Sequence, residues 1–381
     1  ISVIAAAQRA ATLDAVFNAA HRSLSFETGP VIRVLLVVVE PQVDYRLLIV
    51  VHHLVADRFS LGLLQDELHQ LYQHERTGAA YTLAPATSVV SWAEHLEGLT
   101  RGDALAAEHA HWLAEAALAS DALSADFPKG SNAVAHDRSA VAQLDREATT
   151  ELMRRLAVEH EASASDALLM ALARALGGSG CGAVRVDVEY GREAYDEHDT
   201  STMLGWLSGI YPVTVDCRRD ATTQTALHTV RDQLRRLPAH GRHFGLLARR
   251  GPEQLRAQLQ RMAPAQVAFS FLGRLDTASE TASLWSMAPE PLSGLEAPER
   301  ERSHELEVYA SIADGALTVQ IRYSSERYRS ERMEALAADM VASMQALRTD
   351  EAEADAEVDV SLVELSDDEL AQLGALIDST D

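Results

Sequence analysis

Two uninterrupted runs of β-branched and apolar residues, VIRVLLVVVE (31–40) and YRLLIVVHH (45–53), lie on either side of the four residues PQVD. Runs this short and this rich in valine, leucine and isoleucine read as strands. The proline-containing turn between them makes a hairpin, expected to be buried on both faces. Neither run reaches the about 18 apolar residues of a membrane span, and Arg33 and Glu40 bracket the core of the first. The period then changes. Leu61, Leu64, Leu68, Leu71 and Tyr72 recur at helical spacing from Ser60 to Tyr72. Residues 89–119 read as one or two amphipathic helices with Trp92, Leu96, Leu99 and Trp112. The looser SADFPKGSNAVAHD (124–137) reads as a junction between two lobes.

Beyond it, a strand is expected near 139–145 and a helix from about Glu147 to His160. A second helix, capped by Ser163 or Ser165, runs through DALLMALARAL and stops at Gly177-Gly178. Residues 184–190 alternate cleanly, with Val184, Val186, Val188 and Tyr190 on one face and Arg185, Asp187 and Glu189 on the other. Further strands are expected at 210–216, 266–272, 305–311 and 316–323, with helices near 222–236 and 329–347. An acidic stretch, TDEAEADAE (349–357), leads to a last amphipathic segment with a capping-box signature at Ser366–Glu369 and leucines at 370, 373 and 376. The pattern describes a mixed α/β chain of 381 residues, too long for one core. It divides into an N-terminal lobe (1–128), a C-terminal lobe (129–348) and a linker with a terminal helical or docking segment (349–381).

Charge excludes whole classes of partner. Acids outnumber Lys and Arg 57 to 33, a formal charge of −24, which repels phosphate backbones and anionic membranes. Two cysteines, Cys181 and Cys217, form neither a CxxC pair nor a disulfide framework, and no signal peptide is visible, which points to a cytoplasmic protein. The chain starts at Ile1 rather than Met, as an excised or truncated piece would.

Several chemical motifs fail on context. GGSGCG (177–182) follows a helix and precedes a strand, the reverse of a phosphate cradle, and reads as a helix stop. GWLSG (205–209) is not GxSxG. His109 and His111, two apart on a helix, diverge and lack companion ligands, so no metal is expected. One cluster remains, HHLVADRFS (52–60). Two histidines ending an apolar strand must find partners or stay neutral, and period two puts His52 beside Val50 and His53 beside Val51. A pair of satisfied core histidines and a neutral general base, with Asp57 fixing the loop after it, are both open on spacing alone.

HHLVADRFS resembles the HHxxxDGxS motif of the condensation superfamily of nonribosomal peptide synthetases. SDALLMALARAL (165–176), EYGRE (189–193), STMLGWLSGIYPV (201–213), PAHGRHFG (238–245) and FSFLGR (269–274) resemble, in order, further motifs of its epimerization subclass. Trp206 with Tyr211-Pro212 separates that subclass from ordinary condensation domains. The resemblance implies two chloramphenicol-acetyltransferase-like lobes with a substrate tunnel between them. It also implies an aminoacyl or peptidyl thioester carried on the phosphopantetheine arm of a peptidyl carrier protein, with no cofactor bound directly. In the family the second histidine, here His53, is one acid–base group and the first Glu of EGHGRE is the other. Ser60, Asp57, His52, Arg192, Glu193, Trp206 and Tyr211 are motif support.

The sequence departs from that pattern in five places. Gly191-Arg192-Glu193 fixes the register, so Val188 occupies the Glu position and Tyr190 the His position. Glu189 lies on the opposite strand face. Arg58 replaces the motif glycine, and Leu61 replaces the usual tryptophan. The first family motif, PIQxWF, is missing. The implied activity is epimerization with His53 as base and Tyr190 or water as donor. The alternatives are condensation-type amide or ester formation and a catalytically silent docking domain. Residues 358–381 could recruit a downstream synthetase subunit.

Overall fold

The computed structural model describes residues 6–39, 44–78, 80–82, 86–100, 103–191, 199–219, 221–275, 288, 290, 293 and 296–349. Arg192, Glu193 and the segment 350–381 lie outside the described residues.

The N-terminal part is built on helix α1 (Ala6–Arg22) and the antiparallel hairpin of β1 (Ile32–Val39) and β2 (Asp44–Val51). The sequence does not predict this helix, because its apolar stripe is thin in an alanine-rich stretch. Among its described side chains only Leu13, Phe17 and Ala20 are buried, against Leu48 and Val50 of β2. The hairpin forms as expected but is covered on one face only. Ile32, Val34, Leu36 and Tyr45 point outward and are exposed. An apolar run does not say which of its faces finds a partner. Helix α2 (Arg58–Thr77) starts two residues before the expected position, because Asp57 is its cap. The stretch 89–119, expected to hold one or two helices, holds two, helix α3 (Val89–Thr100) and helix α4 (His109–Ala117), with a 3₁₀ turn at Asp103–Glu108 between them.

The C-terminal part is a six-stranded mixed sheet. Its strands are β3 (Asp137–Leu144), β4 (Ala183–Tyr190), β5 (Gly209–Asp216), β6 (Val267–Arg274), β7 (Leu306–Ala313) and β8 (Ala316–Ser324), in spatial order β3-β8-β7-β6-β4-β5. β4 runs parallel to β6, and β6 to β7; the other pairs are antiparallel. The helices are α5 (Arg146–Val158), α6 (Ala164–Gly178), α7 (Thr223–Arg235), α8 (Phe244–Arg250), α9 (Glu253–Leu259) and α10 (Ser330–Thr349). Ser163 caps α6 in a full capping box with Asp166. Nine side chains of α6 are buried, so this helix is the centre of the large core. It ends at the glycine run. A Cβ on Gly177 would lie 1.7 Å from the Cys217 carbonyl oxygen, which makes the glycine a requirement of packing and not of phosphate binding.

The clean alternation of β4 leaves its charged face wet only in part. Val184 and Val186 are fully buried in the core, and on the opposite face Arg185 is only 1% exposed. Its guanidinium donates to the carbonyls of Ala263, Glu115 and Leu118, and so satisfies the carbonyls at the end of α4. Trp112 of α4 is fully buried in this same core. The stretch read as a loose junction is tied to the C-terminal part: the Phe127 amide donates to the Arg327 carbonyl, and the His136 carbonyl accepts from the Ser325 amide.

Candidate active site

Helix capping builds the centre of the site. Asp57 is 4% exposed, and its Oδ1 accepts from the Ser60 amide and the Ser60 hydroxyl, both at 2.8 Å. The remaining oxygen, Oδ2, accepts from the Leu207 amide at 3.1 Å. The Asp57 amide donates to the Gly205 carbonyl, and the fully buried Ser60 hydroxyl lies 2.9 Å from that carbonyl and accepts from the Gly205 amide. One carboxylate and one hydroxyl thus cap α2 and clasp it to the segment Gly205–Leu207, about 150 residues away in sequence.

The clasp sets the geometry above it. Trp206, held between the two clasped residues, stacks on His53 with ring centroids 4.4 Å apart and an interplanar angle of 12°. His53 Nδ1 lies 3.0 Å from the Ala56 carbonyl oxygen. A carbonyl only accepts, so Nδ1 carries the proton and the lone pair of the neutral ring is on Nε2. His53 is in the turn after β2 and is exposed, which corrects the expectation of a buried imidazole at a strand end. His52 lies on the α1 side of the hairpin near Phe26, half-buried, and its Nδ1 accepts from the Leu54 amide. It is not part of a buried polar network.

The other expected positions gather at the ends of β4 and β5. Val188, 6% exposed, closes the row of Val184 and Val186 in the core, paired with Tyr211 on one side and Phe269 on the other. Tyr190 stacks on Tyr211 at 6.2 Å, and its hydroxyl donates to the Arg242 carbonyl at 2.9 Å. Burial holds the Tyr211 phenol well above its ordinary value, with the Asp166 charge acting the same way. Glu189, on the opposite face, accepts from the Ser270 hydroxyl.

The motif PAHGRHFG forms the loop that supports this end, a role its residue types do not announce. A Cβ on Gly241 (φ +83°) would fall 2.3 Å from the Tyr211 ring. His243 Nδ1 meets Glu108 at 2.7 Å, and Phe244 packs on Trp112. Burial works to raise the Glu108 carboxyl, but hydrogen bonds from His243 and Trp112 outweigh it and hold the value low. Among the described residues no three His, Cys, Asp or Glu side chains converge as metal ligands, and no helix is long and apolar enough to cross a membrane.

Two sheets of this topology with an HHLVAD loop define a two-lobe, chloramphenicol-acetyltransferase-like protein. The chain belongs to the Condensation domain family, which matches residues 2–373. Two of its relatives are linear gramicidin synthase polypeptides of Brevibacillus parabrevis. With one it shares 32% identity over 349 residues, covering 90% of this chain and 7% of that protein. With the other it shares 31% identity over 382 residues, covering 97% of this chain and 5% of that protein. The chain therefore spans only a small part of the synthetases it resembles. Among solved structures it is similar to the epimerization domain from the third module of tyrocidine synthetase B. That match has a TM-score of 0.82 at 25% identity and covers 90% of this chain and 77% of that one. The first condensation domain of the CDA synthetase shares the fold at a TM-score of 0.59 and 16% identity, covering 88% of this chain and 72% of that one.

Proposed function

We propose that this chain is an epimerization-type tailoring domain acting on an aminoacyl or peptidyl thioester held on the phosphopantetheine arm of a peptidyl carrier protein. The observation that carries the reading is the His53 ring. Its tautomer is fixed by Ala56 and its plane by Trp206, leaving Nε2 as the free base. The arm would enter a tunnel between the lobes. His53 Nε2 would take the Cα proton, giving imidazolium and an enolate of the thioester.

Inversion then needs a donor on the opposite side of Cα. The position that carries the family Glu is Val188, which has no proton to give, and the Tyr190 hydroxyl is committed to the Arg242 carbonyl. Return of the proton from His53 itself restores the starting configuration. Exposed imidazolium exchanges with solvent, so Cα exchange with retention should outrun epimerization.

The one-sided site also supports a second reading, condensation-type acyl transfer, because deprotonating an amine or alcohol needs one base only. A silent docking domain is the third. Mixing the full chain with a loaded carrier in deuterated buffer separates them: Cα exchange supports the first, a new acyl bond the second, and neither the third.

The working division is an N-terminal lobe to residue 128 and a C-terminal lobe from 129 to 348, with α4 strapped from the first onto the second sheet. Arg192 and Glu193 stay motif support, as the resemblance implies. Residues 358–381 would recruit a downstream synthetase subunit, and deleting them should weaken that binding while the melting temperature stays nearly unchanged.

A further inference from the structure

Between Asp232 and Asp276 the sequence holds eight arginines and a single acid, Glu253, in a chain whose acids outnumber its Lys and Arg 57 to 33. Several other arginines are matched with carboxylates: Arg322 with Asp137, Glu296 and Glu307, Arg327 with Glu305, and Arg154 with Glu151 and Glu159. Arg249 and Arg250 at the end of α8, Arg256 in α9 and Arg261 just beyond it are in no ion pair among the described residues. All but the half-buried Arg256 are exposed. A solvated helix face ordinarily intersperses both signs. Attraction to the helix dipole accounts for Arg249 and Arg250 in the last turn of α8 and for Arg256 in the last turn of α9, but not for Arg261 beyond it, and Arg256 leaves the i,i+3 neighbour Glu253 unused.

The placement of this surface is fixed. Ala239 (φ 44°) and His240 (φ 53°) adopt the left-handed region that side chains avoid, and Gly241 follows at φ 83°. Tertiary contacts hold that strained turn. The Tyr211 ring covers Gly241, Tyr190 holds the Arg242 carbonyl, and Glu108 holds His243. The α8–α9 surface is therefore carried on the same β4–β5 end that presents Val188 and Tyr190.

We propose that the α8–α9 surface docks an acidic carrier-protein domain, with Arg249, Arg250, Arg256 and Arg261 facing its carboxylates and the phosphodiester of its arm. The inference rests on the functional reading above and names the surface by which that substrate arrives. The chain's overall charge repels an acidic partner, so a local positive face next to the site sets where such a partner can settle. The planar forks of arginine fit carboxylate and phosphate oxygens two at a time.

The test is a titration of the full chain with a phosphopantetheinylated peptidyl carrier domain, in the parent, in R249E/R250E, in R256Q/R261Q and in the remote exposed control R76E on α2. The charge-reversed pair should bind roughly tenfold more weakly at about 0.1 M salt, with a shallower salt dependence. R256Q/R261Q should fall between, R76E should match the parent, and all four should melt alike. Equal binding by the parent and R249E/R250E overturns the inference. Capture of mixed-sequence duplex DNA in place of the carrier overturns it too. If binding is unchanged in R249E/R250E while the parent still exchanges the Cα proton, the surface is wrong and the functional reading stands. If the parent neither binds the carrier nor exchanges the proton, both fall.

Discussion

Replacing Asp57 separates two jobs that one carboxylate performs. Asp57→Ala removes the cap of α2, a loss of about 1 kcal/mol. It also leaves the buried Leu207 amide without its acceptor, at about 1–3 kcal/mol. The expected destabilisation is about 2–4 kcal/mol. Asp57→Asn divides the sum. Its side-chain oxygen can still receive the Ser60 amide and hydroxyl, while its NH₂ would face the Leu207 N–H, donor against donor. The cap survives and the clasp opens, so the cost should be only the second part. Chemical denaturation measures the totals, and amide exchange of the peptide covering 203–209 reads the clasp directly. Turnover should fall in both variants because Trp206 loses the anchor at Leu207 that helps set its stack on His53. An Asp57→Asn protein with parental stability and unchanged exchange over 203–209 would refute the reasoning, since the long-range bond would then contribute nothing.

His53→Ala should abolish turnover of a carrier-bound substrate with the melting temperature unchanged. His52→Ala, losing one hydrogen bond at a half-exposed ring, should cost about 1 kcal/mol or less in chemical denaturation. Val188→Glu places a carboxyl at the rim of the core, where burial raises its pKa and costs about 1–3 kcal/mol. In the deuterium assay it should convert retention into inversion, whereas Tyr190→Phe should leave parental exchange as it was. Fast inversion by the parent that Tyr190→Phe does not touch means that another residue supplies the second proton. The neighbouring rings of buried His160 and half-buried His228 predict a loss of stability in mild acid. Desolvation first, then mutual repulsion and Arg155 at His160, and desolvation with Arg231 at His228, hold both imidazoles below their ordinary 6.5. The fold thus favours the neutral rings. Their contribution to stability is fully present above about pH 6.5 and declines as pH falls below that value toward the folded values. Melting temperature between pH 7 and 5.5 should drop, and the slope should shrink in His160→Gln/His228→Gln.

What could be read from the sequence was local. An aspartate three residues before a serine and two histidines after an apolar run are contiguous, so HHLVADRFS pointed to a helix start near Ser60 and to a candidate base. Nothing in that stretch names its partner, because the backbone of Gly205 and Leu207 bonds through groups every residue possesses. Strand period is similarly one-sided information. It correctly put Val188 with Val184 and Val186, but period two assigns residues to faces without saying what covers each face. At β1 and β2 one apolar face is left open; at β4 the charged face is covered by α4 at Arg185 and opens again at Glu189. The same limit governs the second half of the site. Alternation alone lets Val188 and Tyr190 look into a cleft, and only the packing of Tyr211, Phe269 and the turn at Gly241 turns the valine into core and ties down the tyrosine hydroxyl. A proposed site whose candidate base is marked by neighbours in sequence, and whose opposing tyrosine hydroxyl is tied down by neighbours in space, is legible on one side only. The asymmetry expected of its chemistry has the same origin.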